Sequence, residues 1–214
     1  MNNISTNILT LCFVFGISSS VLAEKIDGAT IARQGNGKGA VACIACHGQQ
    51  GEGNASAGYP YLAGLPAGYL SSQLHAFSHD KRQNAVMKPI ASKLTDDEIT
   101  AVANYYASLK SPQITKTAVA SSSGYPDGER LATRGKWSAG MPACFQCHGE
   151  QGRGIAPHFP PIAGQPFAYI KNQLLDWQSG KRQNDPIGLM QAVAKSLDQQ
   201  EIEEVAHYLS AQNK

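Results

Sequence analysis

Cysteine is scarce in this 214-residue chain, and none of it is spare. Of the five cysteines, Cys12 lies in an apolar N-terminal stretch, and the other four stand in two close pairs, Cys43/Cys46 and Cys144/Cys147. If those pairs have a task of their own, nothing is left for a structural disulfide. Charge is thin as well: 16% of residues are charged, and the formal net charge is +2. Residues 24–118 carry nine Lys/Arg against seven Asp/Glu, and residues 119–214 carry nine of each. With no basic run, and Lys and Arg spread among acids, a nucleic-acid partner is not expected. Beyond residue 23 no apolar run is long enough to cross a bilayer, and no segment alternates as a half-buried strand does. Methionine is rare too; after the N-terminal stretch only Met87, Met141 and Met190 occur.

The first 23 residues read differently from the rest. Met1 to Ala23 has no charged side chain, Ile8 to Ile17 is an apolar run of signal-peptide length, and Val21-Leu22-Ala23 supplies a small-residue cleavage pattern. The apolar core is short for a membrane span. A signal peptide over 1–23, cleaved after Ala23, and export of the remaining 191 residues are therefore expected.

Both cysteine pairs belong to the pentapeptide Cys-x-x-Cys-His. It stands as Cys43-Ile44-Ala45-Cys46-His47 and, 101 positions later, as Cys144-Phe145-Gln146-Cys147-His148. One isolated copy is ambiguous. It fits half of a zinc site, which needs four tetrahedral ligands, or a redox Cys-x-x-Cys, which needs a reactive thiol at a helix start. Two copies, each continued by His-Gly-x-x-Gly-x-Gly through Gly48, Gly51, Gly53 and Gly149, Gly152, Gly154, decide for covalent haem attachment. The thiols of Cys43, Cys46, Cys144 and Cys147 bond the haem edge, and His47 and His148 bind the irons. Two haem c groups also supply the apolar surface that a disulfide-free exported domain needs for a core.

The motifs sit in a duplication. Gly28 to Ala32 matches Gly128 to Ala132, Tyr59-Pro-Tyr-Leu-Ala-Gly64 matches Phe159-Pro-Pro-Ile-Ala-Gly164, and Lys81-Arg-Gln-Asn84 recurs unchanged as Lys181-Arg-Gln-Asn184. The offset is 100 or 101 and becomes 103 after a small insertion near Pro186. Domains over 24–112 and 125–214 are expected, joined by a Ser/Thr/Ala-rich linker over 113–124. Each copy reads as three helices around a glycine-rich loop: 28–34 and 128–134; 66–78 and 166–179; and a third opened by Thr95 or Asp198. Thr95 with Glu98, and Asp198 with Glu201, form capping boxes. Ile99, Val102, Ala103 and Tyr106, and Ile202, Val205, Ala206 and Leu209, form apolar stripes. The expected class is all-α.

A haem iron with one histidine has a second axial position, and its occupant separates electron transfer from binding and catalysis. Met87 lies 40 residues after His47, and Met190 lies 42 after His148, at equivalent places in Pro-containing segments between the second and third helices. Both are expected iron ligands, while Met141 reads as core filler. His75 and His79, at i, i+4, have Leu175 and Ser179 as counterparts and read as surface residues; His158 and His207 are unmatched too. Phe77 and Trp177 fit packing near the porphyrins or ordinary core. Lys81-Arg82 and Lys181-Arg182 read as a solvated basic corner, with haem propionates or acidic partners as the other reading.

With the doubled motif, the matched methionines and Asn184-Asp-Pro-Ile-Gly-Leu-Met190, the chain resembles the dihaem cytochrome c4 family across essentially its whole mature length. The Leu/Ile-Ala-Gly turns at 62–64 and 162–164 and the helix starts near 94 and 197 share the likeness. The resemblance implies two class I cytochrome c domains facing each other. It implies a periplasmic electron carrier, often loosely held at the membrane, relaying electrons from the bc1 complex to a terminal oxidase. An alternative is the electron-accepting subunit of a sulfide or thiosulfate dehydrogenase. Two methionine-closed irons argue against a dihaem peroxidase, and no catalytic residue is expected.

Overall fold

The computed structural model describes residues 27–111 and 124–212. The leader expected over 1–23, and all but the last residue of the linker expected over 113–124, lie outside them. Ten α-helices run through the described residues. The first half holds α1 (Gly28–Gln34), α2 (Ile44–His47), α3 (Ala67–Ser78), α4 (Met87–Ala91) and α5 (Asp96–Ser108). The second repeats the order as α6 (Pro126–Arg134), α7 (Cys144–His148), α8 (Phe167–Ser179), α9 (Leu189–Lys195) and α10 (Gln199–Ser210). Among the described residues there are isolated β-bridges but no strand.

The long helices lie where local chemistry puts them. Asp27 caps α1 by accepting from the Ala29 and Thr30 amides at 3.2 and 3.1 Å. The two capping boxes close as expected: Thr95 and Asp198 accept from the Glu98 and Glu201 amides, while those carboxylates accept from the cap amides at 2.9 Å in each case. These reciprocal bonds satisfy amides that a helix start leaves without partners. The stripes of α5 and α10 are buried, from Ile99, Val102 and Ala103 at 2% exposure to Ile202 and Ala206 at 0%.

In each half the first and last helices cross at a glycine. A β-carbon on Gly28 would come within 2.1 Å of the Ala101 carbonyl oxygen on α5; on Gly128 it would come within 2.2 Å of the Glu204 carbonyl oxygen on α10. The backbones meet so closely that only hydrogen fits. The crossing closes the shell around one core that includes Ile31, Leu70, Val102 and Tyr106, and another that includes Leu131, Ile170, Trp177 and Ile202.

Four helices go beyond the three-per-copy expectation. α2 and α7 carry the Cys-x-x-Cys-His motifs, and α4 and α9 carry Met87 and Met190. At four to seven residues they are too short for a periodic signal and too short to persist alone. No helix among the described residues is long and apolar enough to cross a membrane.

Replacing Gly28 or Gly128 with alanine should overpack its crossing and destabilise that half by about 1–3 kcal/mol. Chemical denaturation of the holoprotein, followed by haem absorbance, would test this. An unshifted midpoint would show that the crossing relaxes freely.

Candidate functional site

Each motif is a single helical turn, with the His47 amide donating to the Cys43 carbonyl at 3.0 Å. The three-residue spacing in a helix brings both thiols of a pair to one face. All four cysteines are half-buried and none is in a disulfide. Burial pushes the Cys43 thiol up and the Cys144 thiol up to about 12. A disulfide oxidoreductase needs the opposite, a thiol pulled down towards neutrality. Nor is there a zinc site: no group of three or more His, Cys, Asp or Glu among the described residues is arranged to hold a metal.

The histidines are held in one orientation. His47 and His148 are each 7% exposed. Their Nδ1 atoms lie 2.9 Å from the Pro60 carbonyl oxygen and 2.8 Å from that of Pro160. A carbonyl only accepts, so Nδ1 carries the proton and Nε2 keeps its lone pair for a metal. Burial holds both imidazoles below the ordinary histidine range, in their neutral form. The glycine-rich loop brings each carbonyl into place. Its last glycine amide donates to the histidine carbonyl, Gly53 to His47 at 2.7 Å and Gly154 to His148 at 2.6 Å. Both glycines have φ near +84°, and a β-carbon on either would strike the chain beside that proline, at the Tyr61 or the Pro161 nitrogen, within 2.6 Å.

Met87 opens α4 and Met190 is the second residue of α9; both are half-buried. Each amide is tied to a side chain upstream. Met87 N–H donates to Asn84 Oδ1 at 2.9 Å, and Met190 N–H donates to the Asp185 carboxylate. The insertion near Pro186 thus passes the tether from Asn84 in one half to Asp185, not Asn184, in the other. Met141 is core, 2% exposed. His75 sits at the end of α3, 3.8 Å from Asp96, and His79 and His158 are exposed. His207 is not incidental: it stacks between Tyr125, with ring centroids 4.5 Å apart, and Phe167, at 3.9 Å.

The basic corner is corrected by the structure. Lys81 and Lys181 are exposed, but Arg82 and Arg182 are buried, at 6% and 7% exposure, where the two halves meet. Their segments pair across the boundary: the Gln83 amide donates to the Lys181 carbonyl at 2.8 Å, and the Gln183 amide to the Lys81 carbonyl at 2.6 Å. Arg82 donates to Gln73 at 3.0 Å in its own half, and to Tyr169 at 2.9 Å and Gln173 in the other. Arg182 donates to Gln173 at 3.0 Å in its own half and to Gln73 at 3.0 Å across the boundary. Phe77 and Trp177 lie under these guanidiniums at 4.5 and 4.6 Å. Close by, Tyr61 is 1% exposed and exchanges backbone bonds of 3.1 and 3.2 Å with the Gln165 amide.

Neither guanidinium has a carboxylate within ion-pair distance among the described residues. Two buried cations bridged by neutral amide oxygens and phenols are short of negative charge. Protonated thiols on one helical face, an imidazole with free Nε2 and buried cations lacking anions together fit a group with vinyl edges, a metal and carboxylates. A haem has all three.

The cytochrome c family pattern matches residues 27–110 and again 132–213. The chain is 45% identical over 173 residues to a thiosulfate dehydrogenase electron acceptor of Thiomonas intermedia, covering 81% of this chain and 79% of that protein. It is 36% identical over 180 residues to cytochrome c4 of Pseudomonas aeruginosa, covering 83% and 87%. Among solved structures, reduced cytochrome c4 from Pseudomonas stutzeri superposes with a TM-score of 0.72 at 32% identity, over 79% of this chain and 93% of that one. Thiosulfate dehydrogenase TsdBA from Marichromatium purpuratum gives 0.79 at 38% identity over 86% of this chain, which spans 39% of that longer protein. The chain belongs to the cytochrome c family. Within it, this is a dihaem carrier of the c4 kind: two tandem cytochrome c domains, each with a covalent haem c, moving electrons without catalysis of its own.

Replacing Gln73 with leucine would leave donors on Arg82, Arg182 and Asn184 without their shared acceptor. The docking of the two halves should weaken by about 3 kcal/mol. X-ray scattering should then show a larger radius of gyration and limited proteolysis a faster cut between the halves; wild-type behaviour in both would mean the network does not hold the domains together.

Proposed function

We propose that this protein accepts electrons from a sulfur-compound dehydrogenase of the thiosulfate dehydrogenase type and passes them on towards a terminal oxidase. The observation that carries this reading is the 45% identity to a thiosulfate dehydrogenase electron acceptor, supported by a second such acceptor from Stutzerimonas stutzeri, 39% identical over 94% of this chain. The relay from the bc1 complex to an oxidase, the first expectation from the sequence, becomes the second reading, favoured by cytochromes c4 at 31–37% identity. Both readings place the protein in the periplasm after cleavage of its leader near Ala23, and both are compatible with peripheral membrane attachment.

In this reading Cys43 and Cys46 would bond the first haem and Cys144 and Cys147 the second; His47 and Met87, and His148 and Met190, would bind the irons. When bound, each haem iron takes up and gives back one electron. The protein's part is to keep the surroundings unchanged while that happens. The Pro60 and Pro160 carbonyls fix the imidazoles and raise their donor strength. Asn84 and Asp185 hold the methionine backbones, so the thioethers need no reordering. Methionine as the second iron ligand would favour the reduced state over bis-histidine ligation and would leave small ligands no site on the iron. Arg82 and Arg182 supply the positive charge that ionised propionates require.

Two experiments test this. Met190→Ala should leave both haems attached but remove methionine ligation from one and let its ferrous iron bind carbon monoxide; an unchanged spectrum would mean a different sulfur is the ligand. Mixing the oxidised holoprotein with a thiosulfate dehydrogenase catalytic subunit and thiosulfate should reduce both haems within the turnover time of the dehydrogenase. If the dehydrogenase turns over with other acceptors but leaves this protein oxidised, the bc1 route takes precedence.

A further inference from the structure

One buried polar atom beside the first haem motif takes no part in holding the histidine, the methionine or the junction of the halves. The hydroxyl of Tyr106 is buried, with the Cys43 thiol beside it and no hydrogen bond of ordinary geometry to any group. Native proteins seldom leave such a group unpaired. Tyr106 lies on the inner stripe of α5, 3% exposed, with its ring against Gly51 of the haem loop; a β-carbon on Gly51 would come 2.7 Å from that ring. Cys43 packs against the same buried cluster as Tyr106, which sets the phenol beside its thiol.

The second domain provides an internal control. The Gly64 amide donates to the Tyr106 carbonyl at 2.9 Å, and the Gly164 amide to the Leu209 carbonyl at 2.8 Å, so the two residues hold the same place. Leucine fills that place with no hydroxyl, and Leu209 is 3% exposed. Packing alone therefore does not call for a phenol at 106. The hydroxyl is an addition confined to the first centre, at the sulfur that joins chain to porphyrin.

We propose that Tyr106 is a positioning and tuning residue of the first centre, donating a hydrogen bond from its hydroxyl to the Cys43 sulfur once that sulfur is a haem thioether. This rests on the assignment of Cys43 as a haem attachment residue. A thioether sulfur has no hydrogen to donate but keeps lone pairs that accept weakly, so attachment turns the pair into one donor and one acceptor. The positive end of the O–H dipole then points at the edge of the macrocycle. It stabilises the electron-rich ferrous state more than the ferric one, in a setting where low dielectric strengthens such a contact. The second centre, with Leu209, lacks this contribution.

The test is a spectroelectrochemical titration of the holoprotein carrying Tyr106→Phe, which keeps the ring and deletes the donor. One of the two reduction potentials should fall, by two- to tenfold in the ferrous-to-ferric equilibrium, where tenfold is 59 mV for one electron; the other should stay. Tyr106→Leu, which copies the second domain, should shift the same potential in the same direction. In the unmutated protein, resonance Raman spectra in heavy water should show a shifted thioether C–S band from one haem, and Tyr106→Phe should lose that shift. Two unchanged potentials together with a solvent-insensitive C–S band would overturn the proposal. A preparation with fewer than two covalently attached haems in the unmutated protein would instead defeat the attachment assignment beneath it, so the two failures are distinguishable.

Discussion

Each half of this protein is organised around one hydrogen bond, from a buried imidazole Nδ1–H to a proline carbonyl 12 or 13 residues further along the chain. That bond sets the tautomer, leaves Nε2 as a donor and fixes the ring plane. It also imposes demands on everything nearby. The chain must turn back within a dozen residues, which is the work of the glycine-rich loop. The proline segment must not drift, which is why Gly53 and Gly154 press against the residue after it. The imidazole must stay dry to stay neutral, and the shell closed by the α1–α5 and α6–α10 crossings keeps it so. The haem helices α2 and α7 are too short to stand alone; they exist because these longer elements enclose them.

The junction of the halves obeys a different logic. Arg82 reaches Gln173 while Arg182 reaches Gln73, and the backbone bonds of residues 81–83 and 181–183 are exchanged in the same reciprocal way. This is the isologous geometry of a two-fold dimer built inside one chain. Burying two like charges together opposes docking unless counter-charge arrives, and no carboxylate of the described residues provides it. On the proposed reading, propionates reaching Arg82 and Arg182 would neutralise the junction, and loading the haems would then favour docking of the halves. Tyr61, beside the Pro60 carbonyl, is gripped by Gln165 of the other half. The imidazole of the first centre is therefore two residues removed from an interdomain contact.

What was legible in the chain and what was not divides along the range of the interactions. Capping boxes, apolar stripes and the Cys-x-x-Cys-His turns are set by neighbours within four residues, and they lie where Thr95, Asp198 and the stripe residues indicate. The all-α class and the duplication followed from the same local patterns. The short helices around Met87 and Met190 escaped detection because tertiary packing, not periodicity, makes them helical. The burial of Arg82 and Arg182 escaped because a Lys-Arg pair looks solvated, while its partners Tyr69, Gln73, Tyr169 and Gln173 stand on helices of both halves. A signal was nevertheless present. Tyr69, Gln73, Arg82 and Asn84 recur as the same residue types at 169, 173, 182 and 184, and Tyr69 and Gln73 do so on helices whose other residues have mostly diverged. Polar residues that keep their type in two otherwise divergent copies are what a reciprocal contact between those copies requires. His207 gave no such signal, since Asn104 is its counterpart and its stacking on Tyr125 and Phe167 has no equivalent in the first half.

The two centres share a frame but not a chemistry, and the differences collect at a few positions. Tyr61 faces Pro161 in the repeat, Tyr106 faces Leu209, and Ile44 faces Phe145. In the first half a phenol beside the haem sulfur and a tyrosine locked into the junction bring polar groups towards the cofactor. In the second, Phe145, Leu209 and Trp177 pack around the motif with hydrocarbon and indole, and burial pushes the Cys144 thiol up to about 12. A duplicated domain starts with two equal centres, between which an electron has no preferred side. Unequal surroundings remove that degeneracy, because the free energy of adding an electron depends on the polarity and charge around the iron. Divergence runs through both halves and includes residues around the haem motifs, while the imidazole tether and the arginine junction are kept in both. Such a pattern keeps a common frame for both centres while allowing their affinities for the electron to separate.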